Sequence, residues 1–178
     1  MNRVVTWLVT SDEHLFHFVN QNIKCRIFDA ILPKITHLGG ATFSLSSLLL
    51  IMLLANEIVR FWGIQALISL VSSHLLIHFI KKAYCRQRPY TKLAHVNLCS
   101  RPLKDYSFPS GHTTAVFSII MVFCIHLPYL SILLMPLAFL IGLSRVYLGL
   151  HYPTDCIIGA CIGTLSAILV IFGFSFYI

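Results

Sequence analysis

The run from residue 111 to residue 144 contains no Asp, Glu, Lys or Arg. It is too long for one crossing of a bilayer, which takes roughly 20 apolar residues of helix. It divides at "HLPYLS", residues 126–131, into two helices. Residues 35–55, 61–80 and 156–178 are likewise free of these four residue types. Charged residues make up 11% of the chain, against about 25% in an ordinary soluble domain. With 57% hydrophobic residues and a mean hydropathy of +0.83, the solvent of this chain is lipid. The expected fold is an all-α, multi-pass transmembrane bundle of about five spans: 35–55, 61–81, 112–128, 131–149 and 154–176.

Residues 1–34 read differently. The apolar stretch 4–10 is too short to cross, and no small-residue cleavage site of a secretory signal follows it. Leu15, Phe16, Phe18, Val19 and Ile23 form one prospective helical face, with Asp12, Glu13, Asn20, Gln21 and Lys24 elsewhere around it. That pattern suits a segment lying in the membrane interface, or an amphipathic helix packed on the bundle. We divide the chain into this interfacial segment, 1–34, and a transmembrane core, 35–178. The six cysteines include no CxxC pair, which leaves zinc or redox chemistry little support. Cys85 and Cys99 share one loop, but spacing alone does not pair them.

That loop, "KKAYCRQRPYTKLAHVNLCSRPLKDYSFPSGH", joins the second and third spans, whereas the opposite connections "NEIVR" and "HLPYLS" are tiny. Alternation of spans then brings Lys81, Arg88, Ser110, His112, Arg145, His151 and Asp155 to one membrane face. Attraction to anionic headgroups, about 1 kcal/mol per basic residue, accounts for Lys92, Arg101 and Lys104. It does not account for Arg145, set against an apolar span in "LSRVYLGLH". An arginine there needs an anion, and phosphate oxygens match the planar guanidinium.

His151 and Asp155 are four residues apart, the separation that places two side chains on one helical face. A carboxylate bonded to one ring nitrogen leaves the other free and more basic, as a nucleophilic or general-base histidine requires. In "PSGH", Ser110 is a prospective helix cap. Gly111 permits close backbone approach, and the first amides of the helix form an anion site beside His112. His74 and His78 are spaced like metal ligands, but a catalytic zinc usually has three protein ligands and no third is evident. Hydrogen bonding within the bundle is the expectation for both.

Three blocks now stand in order: "KKAYCRQRP", "PSGH" and "SRVYLGLHYPTD". Together, from Lys81 to Asp155, they resemble the signature of the type-2 phosphatidic acid phosphatase superfamily, including its small bacterial lipid phosphatases. Five spans are one fewer than in its six-span relatives. The resemblance implies a metal-independent phosphatase or diphosphatase, with no cofactor, that works through a phosphohistidine. His151 is then the nucleophile, Asp155 its orienting partner and His112 the general acid. Lys81, Arg88, Arg145, Ser110 and the Gly111 amide hold the phosphoryl oxygens.

A site at the bilayer surface, walled by apolar helices, suits a lipid phosphate: undecaprenyl diphosphate, phosphatidylglycerophosphate or phosphatidic acid. Its partners are that substrate and the bilayer, and no nucleic acid. The alternative is a non-catalytic protein that binds or transports anionic lipids, for which an oriented histidine has little use. A haloperoxidase shares these blocks, but those relatives are soluble. The positive-inside rule puts the basic face in the cytoplasm. Bacterial relatives more often carry the site outside the cytoplasmic membrane, and the extracytoplasmic face is the expectation adopted.

Overall fold

The computed structural model describes residues 3–175. Residues 1, 2 and 176–178, at the outer ends of the N-terminal segment and of the last predicted span, lie outside the described residues. Helix α1, Arg3–His17, runs into a π-helical turn, Phe18–Asn22, and α2, Arg26–Ile35, into a 3-10 turn, Thr36–Gly39. Then follow α3, Ala41–Leu54; α4, Glu57–Tyr84; the single turn α5, Pro89–Lys92; α6, Gly111–His126; α7, Ser131–Tyr147; and α8, Pro153–Ser175. No strand occurs among the described residues.

Three stretches are long and apolar enough to cross a membrane: Glu57–Lys92, Pro128–Tyr147 and Pro153–Ser175. Gly111–His126 is apolar but shorter. The predicted span 35–55 is corrected. Arg26–Gly39 and Ala41–Leu54 meet at a bend of 58° and make a further crossing only if taken together. The break falls at a glycine pair for a steric reason. A Cβ on Gly39 would come within 2.9 Å of Ile141 Cγ2 and 3.0 Å of the His112 carbonyl oxygen.

Helix α4 begins where the Asn56 side chain accepts a hydrogen bond from the Val59 amide at 3.0 Å, which satisfies one of the orphan donors of a first turn. The bundle is centred on α6 and α8. Gly159 and Gly163, one helical turn apart, let the two backbones close up: a Cβ on Gly163 would approach the Thr114 carbonyl oxygen, and one on Gly159 would lie 2.8 Å from that of Ser110. Small residues four apart are the usual device for close packing of helices in lipid. Polar side chains add bonds between helices: Ser72 with Ser166 at 2.8 Å, and His126 with Gln65 at 2.6 Å. Outward, Leu54, Ile132, Leu133 and Leu169 are exposed, as suits helices whose surroundings are hydrocarbon.

The N-terminal segment buries only part of the face drawn from its apolar residues: Phe16 is buried and Val19 and Ile23 pack against the core. Leu15 and Phe18 are exposed, and the buried stripe is Asp12, Phe16 and Asn20. The reason is polar pairing across the chain. Asn20 donates to the Tyr147 carbonyl at 2.8 Å and accepts from the Asn97 amide at 2.8 Å, while Asp12 meets Arg86 at 2.6 Å.

Candidate active site

Every residue singled out in the three sequence blocks lies at one end of the bundle. The last turn of α4 supplies Lys81, and Arg88 immediately precedes α5. Gly111 and His112 open α6, Arg145 sits in the last turn of α7, and Asp155 in the first turn of α8. Lys81, Arg88, Gly111, His112, Arg145 and His151 line one cavity of about 310 Å³. Ser110 and Asp155 are fully buried and stand behind that lining.

The tautomer of His151 follows from its neighbour. Arg88 Nη1 lies 3.1 Å from Nε2 of His151. A guanidinium only donates, so Nε2 presents its lone pair and the proton resides on Nδ1. Arg88 is itself held by the carbonyls of Leu150 at 2.8 Å and Asp105 at 2.8 Å. Nδ1 faces Asp155 Oδ2 at 3.5 Å, longer than a hydrogen bond, and has no other partner. The expected His151–Asp155 hydrogen bond is thus corrected to an ion-pair-range contact. The carboxylate bonds instead to Arg86 Nη1 at 2.6 Å, the Ser107 hydroxyl at 2.5 Å and the Tyr152 amide at 2.9 Å. Hydrogen bonds of this kind are often long before substrate binds. Burial pushes the His151 imidazole down to about 3; Asp155 opposes this, and Arg88 and Arg145 reinforce it. The ring is neutral near pH 7, as a nucleophile must be.

The cations differ in their partners. Arg145 donates to the Thr36 hydroxyl at 2.8 Å, its Nε is unpartnered, and no carboxylate among the described residues forms an ion pair with it. Lys81 and Arg88 share Asp105, each at 2.7 Å. Burial would raise the Asp105 carboxyl, but the hydrogen bond and charge of Lys81, followed by Arg88, hold it at about 2. The ring of His112 lies against the glycine bend, where a Cβ on Gly40 would be 3.7 Å from Nε2.

Ser110 occupies the N-cap position of α6, but its side chain makes no capping bond. Its hydroxyl pairs with that of Thr113 at 3.0 Å, and its amide donates to the Asp155 carbonyl at 3.0 Å. His74 bonds the Leu70 carbonyl through Nδ1 at 3.0 Å, and both His74 and His78 join the cavity lining. Cys85 and Cys99 are free, and Cys99 Sγ lies 3.1 Å from Lys24 Nζ instead.

Sequence reasoning missed Asp12, Thr36, Arg86, Asp105 and Ser107. Arg86 stood inside a quoted block, and its one signal was being a further cation in a loop already rich in them. Nothing local pairs residue 12 with residue 86, or residue 36 with residue 145.

A family model described as the PAP2 superfamily matches residues 62–176. The chain is 37% identical over 112 residues to a bacitracin transport permease protein of Bacillus licheniformis, which covers 62% of this chain and 55% of that relative; the chain thus spans about half the length of that protein. It is 33% identical over 153 residues to phosphatidylglycerophosphatase B of Bacillus subtilis, covering 79% of this chain and 72% of the relative. Its fold is similar to the crystal structure of a transmembrane PAP2-type phosphatidylglycerolphosphate phosphatase from Bacillus subtilis. The TM-score is 0.78 at 29% identity, over 99% of this chain and 89% of that one.

Proposed function

We propose that this chain, which belongs to the PAP2 superfamily, is an integral-membrane lipid phosphatase that hydrolyses lipid phosphate mono- or diphosphate esters through a phosphohistidine. The observation that carries the reading is Arg145: a cavity-lining guanidinium, 3% exposed, with one hydroxyl partner and no carboxylate among the described residues. A buried cation without an anion is costly. A phosphoryl group in the cavity supplies the missing charge through charge-assisted bonds.

The chemistry follows from the positions. Nε2 of His151 attacks phosphorus, and the N–P bond forms as the bond to the leaving oxygen breaks. His112 gives that oxygen a proton. Asp155, beside Nδ1, balances the positive charge that grows on the ring. Lys81, Arg88, Arg145 and the Gly111 amide hold the phosphoryl oxygens, and the Ser110 hydroxyl, behind the lining, joins them by turning from Thr113. His112 then takes a proton from water, whose oxygen attacks phosphorus; the N–P bond breaks and inorganic phosphate leaves. Phosphoryl transfer is mostly positioning and charge stabilisation, here the work of cations and helix-terminal amides. The incoming phosphate brings the negative charge beside which His112 carries its proton.

The substrate is a membrane lipid phosphate: undecaprenyl diphosphate, phosphatidylglycerophosphate or phosphatidic acid. The protein resides in the cytoplasmic membrane with its site on the extracytoplasmic face. The N-terminal segment lies along the interface beside that site, and its Trp7, Leu8 and Ile27 are exposed.

The test is phosphate release from each lipid in mixed micelles containing EDTA. The wild type is expected to turn over, and His151→Asn and His112→Asn to release nothing while expressing normally. Turnover in either variant, or activity lost in EDTA and restored by a divalent ion, overturns the mechanism. Binding of lipid phosphate without release overturns the enzyme reading in favour of a lipid-binding protein.

A further inference from the structure

The segment between α4 and α5 touches the nucleophile from two directions. Arg88 contacts Nε2 of His151 directly at 3.1 Å. Two residues earlier, Arg86 Nη1 grips Oδ1 of Asp155 at 2.6 Å, the carboxylate that faces the other ring nitrogen. Arg86 is not free to choose its place. Its Nη2 binds Asp12 of α1 at 2.6 Å, and its guanidinium lies 3.9 Å from the centroid of the Tyr152 ring. Its carbonyl accepts from the Ser107 amide at 2.9 Å, and the Ser107 hydroxyl is another partner of Asp155.

Asp12 does a second thing. It accepts from the Thr154 amide at 3.0 Å and from the Thr154 hydroxyl at 2.6 Å. Thr154 stands in the first turn of α8, where backbone amides have no partner within their own helix. A side chain from the far end of the sequence therefore ties down the turn that carries Asp155. It is 3% exposed, so these bonds form away from water, where they are directional and strong.

We infer that Asp12 and Arg86 are positioning residues for Asp155, making α1 a working part of the active site. The inference rests on the phosphohistidine reading of His151. With Arg86 shared between two carboxylates, Asp155 is located by a cation without being wholly neutralised by it. It keeps the negative charge that polarises Nδ1–H. Without Asp12, the guanidinium has Asp155 as its one carboxylate partner and the α8 turn loses two bonds. Without Arg86, two buried carboxylates remain with no shared cation. Neither change touches Lys81, Arg88 or Arg145, so the affinity for the phosphoryl group should survive.

The experiment is steady-state kinetics on the full-length protein in mixed micelles, with phosphatidylglycerophosphate as the probe and melting temperature read in parallel. Asp12→Asn keeps one oxygen acceptor for the Thr154 amide and removes both the charge and the second acceptor, which takes the Arg86 and Thr154 hydroxyl bonds. By analogy with groups that orient a metal-binding ligand, kcat is expected to fall about 10- to 100-fold with KM within about twofold. Arg86→Lys should retain more kcat than Arg86→Gln, and Asp12→Asn combined with Arg86→Gln should be no worse than Arg86→Gln alone, as for residues acting through one another. Should Arg86→Gln fail to purify, Asp12→Asn decides by itself. Unchanged kcat in Asp12→Asn overturns the inference. So does a fall in kcat and melting temperature with a rise in KM and no advantage of Lys over Gln at position 86, the mark of a merely structural tie. His151→Asn run alongside separates the two claims: if it is inactive while Asp12→Asn is normal, only the positioning role fails, and if it is active the phosphohistidine reading fails first.

Discussion

Arg145 and Arg86 belong to the same end of the same bundle and live under opposite conditions. Arg145 is buried, with one threonine hydroxyl for company. Arg86 is more open, its side chain 26% exposed, yet lies 2.6 Å from each of two carboxylates. Electrostatics alone would arrange this the other way, because removing a charge from water demands a partner most where water is scarcest. The difference teaches how this site divides its cations. Arg86 is satisfied at all times and serves the scaffold. Arg145 is satisfied only by something that enters the cavity. Proteins tolerate such destabilised positions where activity needs them.

The comparison collapses if the imidazole that both arginines serve is dispensable, so the largest expected effect comes first. His151→Asn should reduce phosphate release on the order of 10⁶-fold, as loss of a covalent nucleophile does elsewhere, measured against wild type at saturating lipid. Asp155→Asn, which removes the group Arg86 holds, should cost about 10⁴-fold in kcat. Arg145→Gln should cost about 10³-fold, the scale of losing one preorganised charge donor. It should also melt at a higher temperature than wild type in phosphate-free detergent, because a buried unpaired charge has gone. Adding inorganic phosphate should raise the melting temperature of wild type and not of Arg145→Gln, through ligand linkage. A less stable Arg145→Gln protein in phosphate-free buffer would erase the distinction between the two arginines.

The same contrast explains what could be read in advance. Lys81, Arg88, Gly111, His112, Arg145 and His151 were legible because spacing within short blocks and alternation of spans suffice to place them around one cavity. The long apolar helices were legible from the charge-free runs. The bend at Gly39–Gly40 was not, because the close approach of Ile141 and His112 that only glycine at 39 admits comes from distant parts of the chain. Asp12 was read as the polar side of an amphipathic helix, and it is buried because Arg86 waits for it. Gly159 and Gly163 carried a signal in their spacing that went unused. What sequence conceals here is partnership between residues far apart in the chain, and Arg86 is defined by such partners whereas Arg145 is defined by lacking them.

Acidity offers a smaller and differently signed effect. Burial holds His151 down to about 3 in the folded protein, while in the unfolded chain it takes a proton near 6.5. Its contribution to stability is therefore whole above about 6.5 and is lost progressively as the pH falls from there towards about 3. Wild type should melt lower at pH 5 than at pH 7, and His151→Asn should show a shallower decline. Equal slopes would mean that the folded site already accepts the proton, contrary to two cations, Arg88 and Arg145, standing close enough to disfavour it.

The smallest expected effect lies one residue from the positioning pair. Glu13 follows Asp12 on α1 and meets Lys92 at 2.7 Å, with side chains 28% and 48% exposed. By distance alone this bond is as good as the one Asp12 makes with Arg86. Exposure decides otherwise: a solvent-screened surface pair contributes about 0.2–1 kcal/mol, and neither partner reaches Asp155. Glu13→Gln should leave kcat and KM at wild-type values and shift the melting temperature barely beyond error. A loss of kcat in Glu13→Gln matching that of Asp12→Asn would show that any loosening of α1 slows the enzyme, and Arg86 would then owe its influence to packing rather than to the two carboxylates it joins.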